Sequence, residues 1–489
     1  MVPKMNPLTA NQHAFFRQIA DLAFTNPFSS AREQADCALL GIAPGSMGWL
    51  DRVETIQARL KCELDRLQRK KPFNIRDYSE KTYEIMLFSW LFYAFHEVQD
   101  DFSAFIHAQG RAGDHPIPLP FARRLIGMFE QAGFTPRETA DYIALFYQIQ
   151  RGYHFISESI HGQCDAMIEL RMRLWNNIFT FNPHWYLNHL SGTMEDFSTL
   201  LLGETGTGKS LVAHAIGCSG LIPFDLEKRR FEESFAGAFQ AINLSQYSAG
   251  LLESELFGHK KGAFTGAIDH HPGLFARCSR FGAVFIDEIG DIDLPTQVKL
   301  LGVLQERVFS PVGSHEKLRF SGRVISATNR DLQQLRQDKR FRDDFYYRLC
   351  SDVITLPSLR QRLGENPAEL RDLVTKLLSR ILRDPDERLV EEVERKIAAS
   401  VPEDHPWPGN VRELEQCIRQ ICLAGVYRPM PRRSSSASLF SEDDLEKKLS
   451  AKQLLQAYCR SLYERHGSYQ AVAQITQLDR RTVRKYVVD

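Results

Sequence analysis

Three features are scarce in this chain, and each absence removes a class of protein. No apolar run is long enough to cross a bilayer: the most apolar stretch, Ile85 to Phe95, continues into HEVQDD, roughly half of what a spanning helix needs. It reads as a buried helix. There is no excess of charge of either sign, Lys+Arg and Asp+Glu both totalling 61, so a nucleic-acid partner would have to be held by a local basic patch. The nine cysteines, scattered from Cys37 to Cys459, include no C-x-x-C pair. An odd number in so long a chain argues against a disulfide framework and for reduced thiols in the cytoplasm. The opening residues, MVPKMNPLTANQHAFF, lack the apolar core of a signal peptide, and no internal repeat is evident.

A length of 489 residues predicts two to four domains. Apolar residues recur at three- and four-residue spacing in 47–70, 77–108 and 136–176, with a Gly- and Pro-rich break at 109–120, so 1–180 reads as an all-α regulatory domain. From about residue 197 the texture changes. FSTLLLG, AVFIDE and RVISATN alternate with helical segments, the pattern of a parallel α/β sheet, placing an α/β core at 181–357. A helical segment follows at 358–427, then a Pro- and Ser-rich linker at 428–446. A small basic helical unit, 447–489, closes the chain.

Gly203-Glu204-Thr205-Gly206-Thr207-Gly208-Lys209-Ser210 fits G-x-x-x-x-G-K-[ST] between a strand-like run and a helix-like one, the context this motif requires. Its glycines let backbone N–H groups curl round phosphate oxygens at a helix N-terminus. Lys209 would bridge the β- and γ-phosphates of ATP, and the Ser210 hydroxyl would ligate Mg²⁺. About 80 residues on, FGAVFIDE ends an apolar strand in Asp287 and Glu288. Taken alone, two acids there only cap a strand. In this order after a phosphate loop, Asp287 would hold Mg²⁺ and Glu288 would polarise the attacking water.

At these residues the chain resembles the sigma-54-dependent activators, the bacterial enhancer-binding branch of the AAA+ proteins, from about Ser198 to Gln420 and again at the C-terminus. The most telling stretch is ESELFGHKKGAFTGA, 253–267. In that family its hexapeptide, here Gly262, Ala263, Phe264, Thr265, Gly266 and Ala267, tips a loop that touches the sigma factor. The residue types fit: small residues flank one aromatic anchor and one hydroxyl. The resemblance further implies an AAA+ P-loop core with a helical lid. It makes Thr328 and Asn329, in VISATN, the pair that feels the γ-phosphate. Arg342 and Arg348, in FRDDFYYR, become fingers into a neighbouring subunit's nucleotide, and Arg412, in WPGNVREL, faces nucleotide from the lid. Asn243, in AINLSQ, matches the residue that restrains the catalytic glutamate, although Leu-Ser follows it here where the family has Cys-Ala, and Gly220 to Phe239 also departs from the common pattern.

At the C-terminus, SYQAVAQITQLDRRTVRKY (468–486) reads as helix, turn and helix after a first helix at about 451–465. Ala471, Val472 and Ile475 are expected to give the apolar face, Thr476-Gln-Leu the turn, and Asp479 the N-cap. Arg480, Arg481, Thr482, Arg484 and Lys485 then suit a recognition helix in a major groove. From 451 onward seven Lys/Arg stand against three Asp/Glu, a net of +4. The unit resembles the Fis-type helix-turn-helix that ends this family.

The first 180 residues carry no receiver-type phosphoacceptor pattern. His154, Glu158 and His161, and separately His96, Asp100 and His107, have spacings that would place each trio on one helical face. Two such helices could form a metal site in a bundle, although satisfied or solvated polar side chains are the commoner meaning. The whole reads as an ATPase with ATP and Mg²⁺ as ligands. As the resemblance implies, it would work as a homo-oligomeric ring, a hexamer, that remodels sigma-54 RNA polymerase while held on double-stranded DNA, with no membrane role. The alternative is a nucleotide-switched DNA-binding regulator that does not engage sigma-54.

Overall fold

A computed structural model describes residues 8–69, 71–382, 385–402, 404–428 and 451–488. The linker expected at 428–446 lies, apart from Arg428, outside the described residues, as do 447–450 and 489. The chain forms two compact units, one ending at Tyr427 and the other beginning at Arg428. Among the described residues no helix is long and apolar enough to cross a membrane.

The first unit begins with α1 (Ala10–Phe24), α2 (Ser30–Leu40), α3 (Trp49–Gln68), α4 (Glu80–His96), α5 (Gln99–Ala112), α6 (Ala122–Gln131), α7 (Pro136–Ser159), α8 (Asp165–Phe179) and α9 (Pro183–His189). The period over 77–108 and that over 136–176 each prove to be two helices. Val98, at φ −127° and ψ 7°, breaks the first pair. The start of α7 is set by a reciprocal capping box between Thr135 and Glu138, with Pro136 in its first turn; there its missing N–H costs nothing.

The core follows as β1 (Thr199–Leu202), α10 (Lys209–Gly217), β2 (Phe224–Asp225), β3 (Arg230–Phe231), β4 (Phe239–Asn243), α11 (Ala249–Phe257), α12 (Leu274–Arg277), β5 (Ala283–Asp287), α13 (Leu294–Glu306), β6 (Val308–Phe309), β7 (Leu318–Arg319), β8 (Arg323–Thr328), α14 (Leu332–Gln337), α15 (Asp343–Leu349) and β9 (Asp352–Thr355). Five strands form a parallel sheet in the order β4-β5-β8-β1-β9. Both faces are covered, so its strands are apolar on both sides. Leu201, Phe285, Ile325 and Ile354 point to one face; Leu200, Val284, Ile286 and Val324 point to the other, as the period of two requires.

The first of these faces shares one apolar core with α10 and with the N-terminal helices, including Phe146, Tyr147, Phe155 and Phe179. Residue 180 therefore separates element types but is no break in packing. The antiparallel pair β2-β3 fills the stretch that departs from the family pattern. It lies against the N-terminal helices: Phe231 stacks on Tyr147 with ring centres 4.0 Å apart, and the Leu119 N–H donates to the Arg229 carbonyl.

Helices α16 (Leu359–Glu365), α17 (Glu369–Ile381), α18 (Glu387–Ser400) and α19 (Asn410–Ala424) pack round Leu377, Val390, Ile397, Leu414 and Ile418. In the second unit, α20 (Ala451–His466), α21 (Tyr469–Thr476) and α22 (Arg480–Val488) enclose Cys459, Leu462, Val472 and Val483. Ile475, expected on the apolar face, is instead 46% exposed, because a three-helix unit this small has only one buried position on α21, and Val472 holds it.

Candidate nucleotide site

The phosphate loop leaves β1 at the switch point of the sheet, with β8 on one side of β1 and β9 on the other, where ligands of open α/β sheets bind. Gly206 and Gly208 hold φ of +83° and +101°, angles that only glycine adopts freely. The space beside Gly206 is also taken. A Cβ there would stand 2.2 Å from the Gly409 carbonyl oxygen, so the segment before α19 lies directly on the loop. Lys209 opens α10 and is buried; its ammonium donates to the carbonyls of Gly203 (2.9 Å) and Glu204 (3.2 Å). Burial lowers its pKa, opposed by Glu288 and Asp287. Ser210 is exposed beside it.

Asp287 and Glu288 end β5. The register pairs Asn243 with Asp287, and the Asn243 amide donates to Asp287 Oδ2 at 3.3 Å. This corrects the expected partner: Asn243 holds Asp287, not Glu288, because the two strands end side by side while Glu288 has already turned away at φ +57° and ψ +44°. The Glu288 carboxylate has a buried oxygen, Oε2, without a hydrogen-bond partner. Burial and the adjoining Asp287 raise its pKa, against the pull of Lys209. With Ser245, Asp291, Asn329 and Arg330 it lines an open cleft.

β8 brings Thr328 level with Leu202, the last residue of β1. Thr328 is buried and accepts from the Arg330 N–H. The Asn329 amide donates to the Thr205 hydroxyl of the phosphate loop at 2.9 Å, so β8 touches the loop directly. From the helical segment, the Val411 N–H donates to the Gly206 carbonyl, and the charge of Arg412 lies near enough to lower the Lys209 pKa further.

Two residues that the sequence did not single out complete this clasp. Asn410, fully buried at φ +52°, donates to Glu204 Oε2 and to the Thr205 carbonyl, both at 3.1 Å. Its side-chain oxygen Oδ1 accepts from the Leu359 N–H at 2.7 Å. Arg360 pairs with Glu204, Nη1 to Oε2 being 2.9 Å. The Asn following Pro-Gly was the one hint in the sequence, since Asn tolerates positive φ better than most residues.

The remaining candidates lie apart. Arg342, the residue before α15, forks onto Asp344 of that helix, and Arg348 donates to the Leu304 carbonyl at 3.0 Å. Neither has a contact to the phosphate loop of its own chain among those described. Gly262 to Ala267 form a tight turn, closed by the Gly262 N–H to the Ala267 carbonyl at 2.8 Å and the Ala267 N–H to the Phe264 carbonyl at 3.0 Å. Gly262 and Gly266 sit at φ +80° and +105°. Phe264 is 37% exposed and meets His259 edge-on. A second loop lies alongside, with Lys260 paired to Glu316.

Arg480, Arg481, Arg484 and Lys485 are exposed on α22, and Thr482 is half-buried. Asp479 caps the helix through the Arg481 N–H at 2.8 Å. The metal constellation fails, for among the described residues no group of three or more His, Cys, Asp or Glu could hold an ion. The helix break at Val98 separates His96 from Asp100 and His107. His161 lies past the end of α7, where its carbonyl accepts from Arg362.

A family profile described as the Sigma-54 interaction domain matches residues 188–355. The sigma-54-dependent transcriptional activator SfnR of Pseudomonas putida is 38% identical over 270 residues, 55% of this chain and 69% of that protein. The transcriptional regulator NtrC of Azospirillum brasilense is 40% identical over 243 residues, 49% of this chain and 45% of that protein. The formate hydrogenlyase activator FhlA of Escherichia coli is 41% identical over 229 residues, 47% of this chain and 30% of that protein. The chain thus spans less than half the length of NtrC and FhlA. Among solved structures, NtrX from Brucella abortus aligns over 75% of this chain and 79% of its own at 18% identity, with a TM-score of 0.40.

Proposed function

The chain belongs to the sigma-54-dependent transcriptional activators, and on that premise we propose that it hydrolyses ATP in an oligomeric ring to remodel sigma-54 RNA polymerase from an upstream DNA site. Gly203 to Ser210 receive the phosphates, with Lys209 as the cation on the β- and γ-phosphates. Ser210 and Asp287 offer hard oxygen donors, the kind that would hold Mg²⁺. The ion, when bound, neutralises charge on the phosphates. Glu288, desolvated and with a free carboxylate oxygen, takes the proton of the attacking water. Asn329 joins the end of β8 to the phosphate loop. Arg342 and Arg348 serve the neighbouring subunit, where such a finger supplies roughly 10³–10⁵ in rate. The protein therefore works as a ring, a hexamer.

One observation carries the coupling. Asn243, hydrogen-bonded to Asp287, begins the segment that leads without another strand through α11 to the turn at Gly262–Ala267. A change at the catalytic carboxylates is thereby delivered along one helix to the exposed Phe264. Residues 447–489, within the second unit, are the DNA-binding helix-turn-helix. Residues 1–180 form the regulatory domain, 181–357 the ATPase core and 358–427 its lid. The regulatory domain acts through its contacts to both: to α10 through α7, and to the lid through Glu369, which accepts from the N–H groups of Gln163 and Cys164 while paired with Arg362 at 2.7 Å.

Open-complex formation on a sigma-54 promoter, with purified chain and ATP, tests the proposal. Phe264→Ala is expected to keep hydrolysis and lose open complexes. Open complexes undiminished in Phe264→Ala would refute the assigned contact, and failure to split ATP would refute the motor.

A further inference from the structure

Between α1, α2, α3, α4, α7 and α8 the N-terminal helices form a partly open cavity of about 240 Å³ that no nucleotide residue lines. Its wall is mostly rings and aliphatic chains, among them Phe88, Leu91, Phe95, Phe146, Tyr153 and Trp175. A concave, largely apolar pocket with a few polar groups in its wall is the form that small-molecule sites take. One wall residue is a cation: Arg32, only 6% exposed. Its Nε is spent on Asp36 at 2.9 Å and its Nη1 makes a long bond to the Leu22 carbonyl at 3.4 Å. Its Nη2 is buried with no acceptor at all. The guanidinium lies 5.0 Å from the ring centre of Trp49 and 5.7 Å from that of Phe92, so it is held in place by faces that cannot accept a proton. The other charged lining groups, Glu54 and Asp100, are exposed and screened by solvent.

An aromatic cavity with one buried, under-satisfied guanidinium is complementary to a ring bearing a carboxylate, since arginine matches that group in geometry and charge. We propose that this cavity binds a small aromatic carboxylate, and that this is the signal the N-terminal region receives. Six cavity residues, Tyr142, Leu145, Phe146, Ile149, Gln150 and Tyr153, belong to α7, the helix whose Gln148 and Arg151 hold the end of α10. That occupancy adjusts hydrolysis rests on the function proposed above; binding does not, so binding is the readout.

The test uses the full chain with phenylacetate as probe, and benzyl alcohol and benzylamine as neutral and cationic counterparts. Trp49 and Trp175 line the cavity and report occupancy by fluorescence, with the thermal midpoint as a second measure. Phenylacetate is expected to give a saturable change and to raise the midpoint. Benzyl alcohol should bind about tenfold or more weakly, the usual worth of a charge-assisted hydrogen bond, and benzylamine not at all. Leu91→Trp, which fills the void and leaves the guanidinium in place, should abolish binding while circular dichroism and unliganded ATPase stay unchanged. No saturable change with phenylacetate, equal binding of the alcohol or the amine, or binding that survives Leu91→Trp would overturn the proposal.

Discussion

Arg151, fully buried in the middle of α7, donates from Nη1 to the carbonyl of Cys218, the residue that caps α10, at 2.6 Å. Its Nη2 reaches the Gly220 carbonyl, also at 2.6 Å. Ser219 between them accepts from Gln148 at 2.9 Å. A cation thus sits at the C-terminal, partially negative end of the helix whose N-terminal, partially positive end carries the phosphate loop. The N-terminal helices and a bound nucleotide would grip opposite ends of the same nine residues. Among the described residues no carboxylate offsets this charge; the Tyr147 ring, 4.4 Å away, and the two carbonyls do.

Replacing Arg151 with Met should therefore do two things. Hydrogen bonds to a charged group contribute about 1.5–3 kcal/mol each, so loss of the two should make unfolding of the first unit easier by about 3–6 kcal/mol. Loosening the end of α10 should also raise the KM for ATP. Thermal melts together with ATPase kinetics check both. A variant with the wild-type melting point and KM would show that the contact neither stabilises nor positions the helix.

Glu288 makes the sharpest prediction about chemistry. Its folded pKa is raised, first by burial and then by Asp287, so the proton-accepting form is lost at a higher pH than for an ordinary glutamate. The ATPase rate should fall on the acid side above the usual carboxylate range. Glu288→Gln should lower the rate by about 10²–10⁴, the range for removing a general base, leave nucleotide binding intact and remove that acid limb. Stopped hydrolysis with retained binding of a fluorescent ATP analogue is the expected outcome; a variant that hydrolyses at the wild-type rate would move the base elsewhere.

The parts of this site that were legible in the sequence are those written in contiguous residues. The loop at 203–210, the acids after AVFI and the turn at 262–267 each lie within one short segment whose local geometry follows from its residue types. Asn410 and Arg360 escaped notice because their meaning is tertiary. They matter only once the segment before α19 folds onto Gly206, more than 200 residues earlier in the chain. Asn243 was picked out within AINLSQ, but its partner depended on β4-β5 register, which no single segment encodes. The paired histidine trios failed for the opposite reason: their spacing assumed helices continuing through Val98 and past Ser159. The cavity of the N-terminal helices had no sequence signal, since aromatics on a buried helix spell a filled core as readily as a hollow one.

On α22, Arg481 and Arg484 project into solvent while Val483 between them is buried in the unit's small core. Changing both arginines to Ala should leave the three helices folded and ATPase activity intact. Operator binding in a gel-shift assay should disappear. Each arginine that neutralises a phosphate also steepens the salt dependence of binding by a slope of about one, so whatever binding the double variant retains should respond less to salt. Specific binding at wild-type strength would remove α22 from the interface.

His96 gives the N-terminal helices a pH dependence of definite sign. Burial holds its pKa down to about 4, with Arg32 adding to the depression and the Phe92 carbonyl, 2.8 Å from Nδ1, opposing it. In the unfolded chain the same ring titrates near its ordinary value of about 6.5. Between these values the unfolded state binds a proton that the folded state refuses, so stability is full above about pH 6.5 and is lost progressively as pH falls toward 4. The shift corresponds to at most about 3.5 kcal/mol, an upper bound because the ring keeps some exposed surface. His96→Gln retains a polar group able to reach the Phe92 carbonyl but cannot titrate. Its denaturation midpoint, followed from pH 7.5 to 4.5, should fall less steeply than that of the wild type. Parallel curves would mean that His96 is not the group that refuses the proton.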